Sequence, residues 1–368
     1  MKMENHEKYM RMAIELASGG IGFVNPNPLV GAVIVKNGRV IGQGFHERCG
    51  ELHAERNAFV HCTESAEGAD IYVTLEPCCH YGRTSPCTEA IIEHKIKRVF
   101  VGSDDPNPKV SGNGINKLRD NGIEVITGVL KHECDSLNEI FFHYISTSMP
   151  YVILKYAMTA DGKISTFSGK SKWITCEESR KNVHNTRKRV AAIMTGVGTV
   201  IADDPMLTCR IENPSNPIRI ICDSTLRIPV HSNILATSHD IPTYIATVSD
   251  DEEKCDIIRQ MGAGIIKTTR KNCRVDLYEL MEKLGQMNID SILVEGGAEL
   301  AYSALESNIV NKLQVYIAPK IFGGSCAKTA VSGKGVNLPS EAFMLSFPEI
   351  KRIGDDILLE YNIKQGMI

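Results

Sequence analysis

At 368 residues the chain is too long for one hydrophobic core and reads as two domains. Its 43% hydrophobic and 23% charged residues suit a soluble globular protein, and a net charge of -3 offers no global attraction to nucleic acid or an anionic membrane. No run of about eighteen apolar residues occurs, which excludes a transmembrane helix, and the mixed residues 1–17 lack the apolar centre of a signal peptide.

Tyr9, Met12, Ala13, Leu16 and Ala17 fall at helical spacing and predict an opening helix with one apolar stripe. Residues 29–35 and 39–44 predict two strands joined by an Asn37-Gly38 hairpin turn. A helix near 54–62, a strand at 71–75, a helix near 88–94 and a strand at 98–101 follow. A helix near 115–121, a strand at 123–126 and one last helix over 132–145 complete the series. Strands alternating with helices after a single hairpin imply a mixed sheet covered on both faces. The small, polar, proline-ended stretch at 146–150 marks the boundary, giving domains over 1–147 and 150–368. Beyond it a second α/β series begins, with strands expected at 151–158, 192–195, 218–222, 243–247, 291–295 and 312–317. No internal repeat relates the two halves. Nine of the twelve cysteines are scattered, as buried reduced thiols would be, so the cytoplasm is the expected compartment.

The chemistry concentrates at His53-Ala54-Glu55, Glu76-Pro77-Cys78 and Cys87. One imidazole and two thiolates would leave the fourth position of a zinc ion open to water, as in catalytic rather than structural sites. His-x-Glu followed by Pro-Cys is the pattern of zinc-dependent deaminases, with the glutamate moving protons. Cys78 at a strand-to-helix junction sits where a helix N-terminus and a metal both favour thiolate. The second cysteine lies nine positions on, not three, so Cys79 and His80 compete as ligands. Adjacent cysteines rarely reach one metal together, which favours Cys87.

In the second half, Lys155 interrupts an apolar strand: a buried ammonium needs a partner, unless the strand is at an edge and the lysine reaches water. Gly196-Val197-Gly198-Thr199 and Glu295-Gly296-Gly297 each follow a strand and precede a helical stretch, a junction that suits phosphate. Neither is the dinucleotide Gly-x-Gly-x-x-Gly fingerprint.

Residues 24–112 resemble the deaminase half of the bifunctional riboflavin-biosynthesis deaminase/reductase family. The likeness rests on Asn25-Pro26-Asn27-Pro28, His53-Ala54-Glu55, the stretch 72–87 and Asp105-Pro106-Asn107-Pro108; Cys79 stands where serine is usual. Residues 151 to about 361 resemble the reductase half through 154–164, Ser171-Lys172-Trp173, 196–210 and Val294-Glu295-Gly296-Gly297. The resemblance implies a cytidine-deaminase-like α/β/α domain followed by a dihydrofolate-reductase-like α/β domain. It implies zinc on His53, Cys78 and Cys87, with Glu55 as the catalytic proton shuttle. NADPH would contact Ala157, Trp173, Thr199, Asp203, Ser224 and a loop of Gly297, Ala298, Glu299, Leu300, Ala301, Tyr302 and Ser303. The substrate would meet Lys155, Ser171, Arg187, Leu207, Arg210 and Glu295, with the two arginines on its phosphate and Lys155 and Asp203 assisting ring opening or protonation. The substrates implied are pyrimidine ribose-phosphates, handled by a homo-oligomer that engages neither nucleic acid nor membrane. A nucleotide deaminase with an unrelated second half is the rival enzyme reading, and a nucleic-acid editing protein the rival of another class. Against the latter stands the lack of basic runs.

Overall fold

The computed structural model describes residues 2–81, 85–107 and 110–364. The chain divides into two compact units, Met1–Ser148 and Met149–Ile368.

The first unit opens with helix α1 (Lys2–Ala17) and the hairpin β1 (Gly31–Lys36) and β2 (Arg39–Phe45). There follow α2 (Ala54–Val60), β3 (Asp70–Leu75), α3 (Cys87–Glu93), β4 (Arg98–Ser103), α4 (Asn113–Asp120), β5 (Glu124–Ile126), α5 (Lys131–Leu137) and α6 (Glu139–Thr147). The sheet order is β2-β1-β3-β4-β5, with β1 antiparallel to both neighbours and the rest parallel. Strand alternation divides the core between the two faces. Ala32, Ile34, Ile71, Val73, Val99 and Val101 pack against Ala58, Ala90, Ile91, Ile115 and Leu118 of α2, α3 and α4. Val33, Val35, Tyr72 and Phe100 meet Met10 and Ala13 of α1 and Cys134 of α5. Deleting a fully buried member such as Ile71 down to alanine would cost about 2–5 kcal/mol. Helix α2 lies so close to β2 that a Cβ on Gly44 would stand 2.5 Å from the backbone N of Ala58. Only glycine lets the helix carrying His53 approach the sheet this closely.

The single helix expected over 132–145 is two helices, broken at Asn138. The buried Asn138 amide accepts from the Leu29 N–H at 2.8 Å and donates to the Leu29 carbonyl at 2.9 Å. This long-range pair satisfies the backbone before β1 and overrides helical continuity.

The second unit contains β6 (Tyr151–Thr159), α7 (Glu177–Arg189), β7 (Ala192–Gly196), α8 (Val197–Asp203), β8 (Ile218–Cys222), α9 (Asn233–Ala236), β9 (Thr243–Thr247) and α10 (Glu252–Gln260). It continues through β10 (Gly264–Lys267), the ribbon β11 (Arg270–Lys271) and β12 (Arg274–Val275), α11 (Leu277–Gln286), β13 (Ser291–Glu295), α12 (Ala298–Glu306), β14 (Lys312–Ala318), β15 (Glu349–Ile353) and β16 (Asp356–Asn362). Nine strands run in the order β10-β9-β8-β7-β13-β6-β14-β16-β15, parallel as far as β14 and antiparallel through the closing hairpin. One face packs on α11 and α12 through Leu280, Leu284, Ala301 and Ala304. The other packs on α8, α9 and α10 through Val200, Ile234 and Ile258. Strand β6 is interior, flanked by β13 and β14. The edge-strand account of Lys155 is therefore wrong: the lysine is enclosed and must be paired.

Candidate active site

In the first unit, His53 is the residue capping α2, Glu55 lies in that helix's first turn, and Cys87 opens α3 behind Pro86. Cys78 follows the C-terminal end of β3. The three bring their ligand atoms within 4.8 Å of one another. His53 Nδ1 stands 3.5 Å from Cys78 Sγ and 3.3 Å from Cys87 Sγ. Tetrahedral zinc with ordinary bond lengths requires nitrogen–sulfur edges of about 3.6 Å, so the donor set fits that ion. Cys79 and His80 do not join the cluster; among the described residues this is the one group placed to hold a metal.

The long excursion between the cysteines is closed from both ends. Thr88 N–H donates to the Cys78 carbonyl at 3.2 Å, and Cys87 N–H donates to Cys78 Sγ at 3.3 Å. Arg56 ties the loop to α2 by donating to the carbonyls of Ser85 and Pro86, both at 3.0 Å. Residues 82–84 lie outside the described residues. Glu76 accepts the N–H groups of Gly112, Gly114 and Ile115, so the strand end is fixed to the start of α4. The motif placed Glu76 correctly without revealing this anchoring role.

The two sulfurs shift in opposite directions. The Cys87 thiol donates to Cys78 and holds it well below the usual thiol range, against a burial penalty, while that thiolate and burial raise Cys87. A divalent cation bound between them would favour both as thiolates. Glu55 is 3% exposed, and burial, helped by negative Cys78, pushes its carboxyl up. A carboxyl raised toward neutrality can both take and return a proton. His46, which sequence reasoning missed, is buried beside His53 with ring centroids 5.6 Å apart, and bonds Asn27 Nδ2 at 3.0 Å.

In the second unit the structure brings Lys155, Arg187 and Glu295 together from β6, α7 and β13. Arg187 grips Glu295 with both prongs, Nε to Oε1 at 2.8 Å and Nη2 to Oε2 at 3.0 Å, and gives Nη1 to the Thr208 carbonyl at 2.8 Å. Lys155 Nζ is 3.8 Å from Glu295 Oε2 and 5.6 Å from the centre of the Tyr316 ring. Burial would raise the Glu295 carboxyl, but Arg187 and then Lys155 outweigh it and hold it at about 2. Burial lowers the Lys155 ammonium, with Glu295 opposing. Leu207 is buried with φ of 51°, and Arg210 lies exposed just beyond, donating Nη1 to Thr208 Oγ1 at 3.2 Å.

The glycine junctions form a second cluster. Gly297 N–H donates to Thr199 Oγ1 at 3.2 Å, and a Cβ on Gly296, whose φ is +118°, would strike Thr195 Oγ1 at 2.3 Å. Added Cβ atoms on Gly196 and Gly198 would meet nothing within 4 Å. Thr195 Oγ1 is buried with no protein partner. Open space over glycines, an orphaned hydroxyl and a helix start suit the phosphates of a dinucleotide.

Other expected contacts are placed differently. The helical stretch expected after Glu295-Gly296-Gly297 is α12, and it takes in the cofactor loop expected from Gly297, because Leu300, Ala301 and Tyr302 are drawn into the core at 9%, 1% and 7% exposure. Glu299 pairs with Arg274 at 2.7 Å, and Ser303 follows on the helix. Ser224 Oγ accepts the Val275 N–H at 3.2 Å. Asp203 ends α8 exposed, Ala157 is half-buried on β6, and Ser171 and Trp173 lie in the segment between β6 and α7, with Arg180 over the Trp173 ring at 4.7 Å.

The family model for the cytidine and deoxycytidylate deaminase zinc-binding region matches residues 3–103, and that for the RibD C-terminal domain matches residues 150–359. A riboflavin biosynthesis protein RibD from Actinobacillus pleuropneumoniae is 55% identical over 96% of this chain and 94% of its own length. The chain belongs to the RibD family. The Escherichia coli RibD is 39% identical over 96% of this chain and 98% of its own. A solved Thermotoga maritima structure, described as a diaminohydroxyphosphoribosylaminopyrimidine deaminase/5-amino-6-(5-phosphoribosylamino)uracil reductase, is 37% identical with a TM-score of 0.86, covering 99% of this chain and 100% of that one. Acinetobacter baumannii RibD, form 1, gives a TM-score of 0.87 at 34% identity, over 99% and 100%. The chain is thus a bifunctional enzyme of riboflavin biosynthesis, a zinc-dependent deaminase followed by an NADPH-dependent reductase, and the expected fold classes hold for both halves. The match over 150–359 replaces the rival reading of an unrelated second half.

Proposed function

We propose that the first unit deaminates 2,5-diamino-6-(5-phosphoribosylamino)pyrimidin-4(3H)-one and that the second reduces the ribosyl chain of the product, 5-amino-6-(5-phosphoribosylamino)uracil, to ribityl. The observation that carries the reading is the convergence of His53, Cys78 and Cys87 within 4.8 Å, beside the buried carboxyl of Glu55.

Zinc, held by His53, Cys78 and Cys87, would activate water to hydroxide at neutral pH. Glu55 would take one proton of the attacking water and pass it to the ring nitrogen. It would then take the second from the hydroxyl added to the ring carbon and pass it to the amine, so that the carbonyl forms, the carbon–nitrogen bond breaks and ammonia leaves. Its raised affinity for protons suits both transfers. Asn27, bonded to His46 beside His53, and the loop around Asn107 would contact the substrate.

NADPH supplies the hydride for the second step. Its phosphates would rest on the Gly196–Thr199 and Gly296–Gly297 junctions, with Ala157, Trp173, Asp203, Ser224 and the first turns of α12 lining the rest. Lys155, lowered toward neutrality and held by Glu295, donates a proton to the opening ribose more readily than an ordinary ammonium. Three of the Arg187 N–H groups are spent on Glu295 and Thr208. The substrate phosphate therefore falls mainly to Arg210, with Ser171 and Leu207 shaping the pocket.

In this reading the enzyme is a cytoplasmic homo-oligomer. All twelve cysteines are free of disulfides, which supports a reducing compartment. Phe347, just before the edge strand β15, and Ile350 on it, 100% and 66% exposed, support self-association. The test is an assay with the diaminopyrimidine substrate that follows ammonia and NADPH oxidation separately, in wild type and Glu55→Ala. Ammonia release should vanish in the variant while reduction of pre-deaminated substrate persists. Loss of both activities in folded protein would contradict the assignment of Glu55 to one step.

A further inference from the structure

His184 was not among the residues expected from sequence, and no role above uses it. It lies one turn before Arg187 on α7, with Arg187, Arg210, Glu295 and Lys155 as its charged surroundings. Its Nδ1 accepts the backbone N–H of Arg210 at 3.2 Å. The preceding residues are bound to the same helix turn: Cys209 Sγ–H donates to the His184 carbonyl at 3.4 Å, and Arg187 Nη1 donates to the Thr208 carbonyl. Leu207 enters this strap in the left-handed conformation with its side chain in the core, so the backbone cannot shift freely behind Arg210.

An imidazole can accept at Nδ1 only if that nitrogen is unprotonated, which places the proton on Nε2. The surroundings enforce this: burial first, then the positive charges of Arg187 and Arg210, lower His184 to about 4. We propose that His184 is a positioning residue for reduction, a neutral imidazole that fixes the backbone of Arg210 and so aims its guanidinium at the substrate phosphate. The inference rests on the reading that Arg210 holds that phosphate.

The test uses full-length protein and measures reduction of 5-amino-6-(5-phosphoribosylamino)uracil and of its dephosphorylated counterpart in His184→Asn, His184→Gln, His184→Ala and Arg210→Ala. Asparagine places an acceptor oxygen where Nδ1 stood; glutamine places it where Nε2 stood. His184→Gln and His184→Ala should raise KM for the phosphorylated substrate about tenfold, the loss of one well-placed hydrogen bond, with kcat little changed. His184→Asn should stay within about twofold of wild type, by the same principle. The dephosphorylated substrate should not distinguish any of these variants from wild type. Equal damage in His184→Asn and His184→Ala, or an equal KM rise on both substrates, would overturn the inference. So would a fall in kcat, which would put His184 on the reacting atoms. An unchanged KM in Arg210→Ala defeats the phosphate reading itself; a raised KM there with a normal His184→Gln defeats the His184 inference alone. NADPH binding and the melting profile confirm that each variant is folded, and His184→Asn carries the test if the alanine variant is not.

Discussion

Replacing Glu295 by glutamine removes the one negative charge between two enclosed cations. Lys155 and Arg187 expose only 15% and 12% of their side chains, against 12% for Glu295. Removing one partner of a buried ion pair leaves the other uncompensated and costs about 3–5 kcal/mol. An independent route agrees: depression of the carboxyl from 4.5 to about 2 corresponds to on the order of 3 kcal/mol favouring the ionised form in the folded state. In a unit of this size that lowers the melting temperature by about 6–12 °C. The assay is thermal unfolding of the full chain by circular dichroism, with NADPH used to identify the transition of the second unit. A second variant sharpens the test. Lys155→Met combined with Glu295→Gln removes an orphaned ammonium as well as its partner and should recover part of the loss, giving coupling of more than about 1 kcal/mol. A shift below about 2 °C in Glu295→Gln, or strict additivity of the two changes, would show that the triad is not the buried ionic cluster argued here.

The same carboxyl sets an acid limit. Its folded value lies below its unfolded one, so its contribution is complete above about pH 4.5 and is lost as pH falls toward 2. Urea titrations of the second unit at pH 6 and pH 3 should show this loss in wild type and a much smaller one in Glu295→Gln. In the first unit, Arg56→Ala frees the carbonyls of Ser85 and Pro86 and slackens the approach to Cys87. Zinc affinity, read by competition with a chromogenic chelator, should fall about 10–100-fold, as when outer partners of metal ligands are removed. Unchanged affinity would mean that Arg56 does not hold the loop.

The deaminase site was legible because its parts are local. Of the proposed ligands, His53 caps α2 and Cys87 opens α3, Cys78 follows three residues after β3, and the glutamate is two residues from the histidine. Alternation in β1, β3 and β4 likewise gave the two-faced sheet. The reductase cluster was legible only by resemblance. Arg187 and Glu295 are 108 positions apart, and nothing local marks a helix arginine as the partner of a strand glutamate. Lys155 signalled an anomaly, but whether its strand was interior depended on the sheet order. The break at Asn138 was hidden for the same reason, since its amide satisfies Leu29 across 109 positions. His184 carried no signal beyond its spacing of three from Arg187 on a helix, because its value depends on where Arg210 N–H arrives.

The most direct test is the metal content of the purified chain, measured by mass spectrometry alongside the Cys87→Ser and Cys79→Ser variants. One zinc per chain is predicted for wild type and Cys79→Ser, with substoichiometric zinc in Cys87→Ser. Zinc retained in Cys87→Ser but lost in Cys79→Ser, or no stoichiometric transition metal in wild type, would contradict the three-ligand centre formed by His53, Cys78 and Cys87.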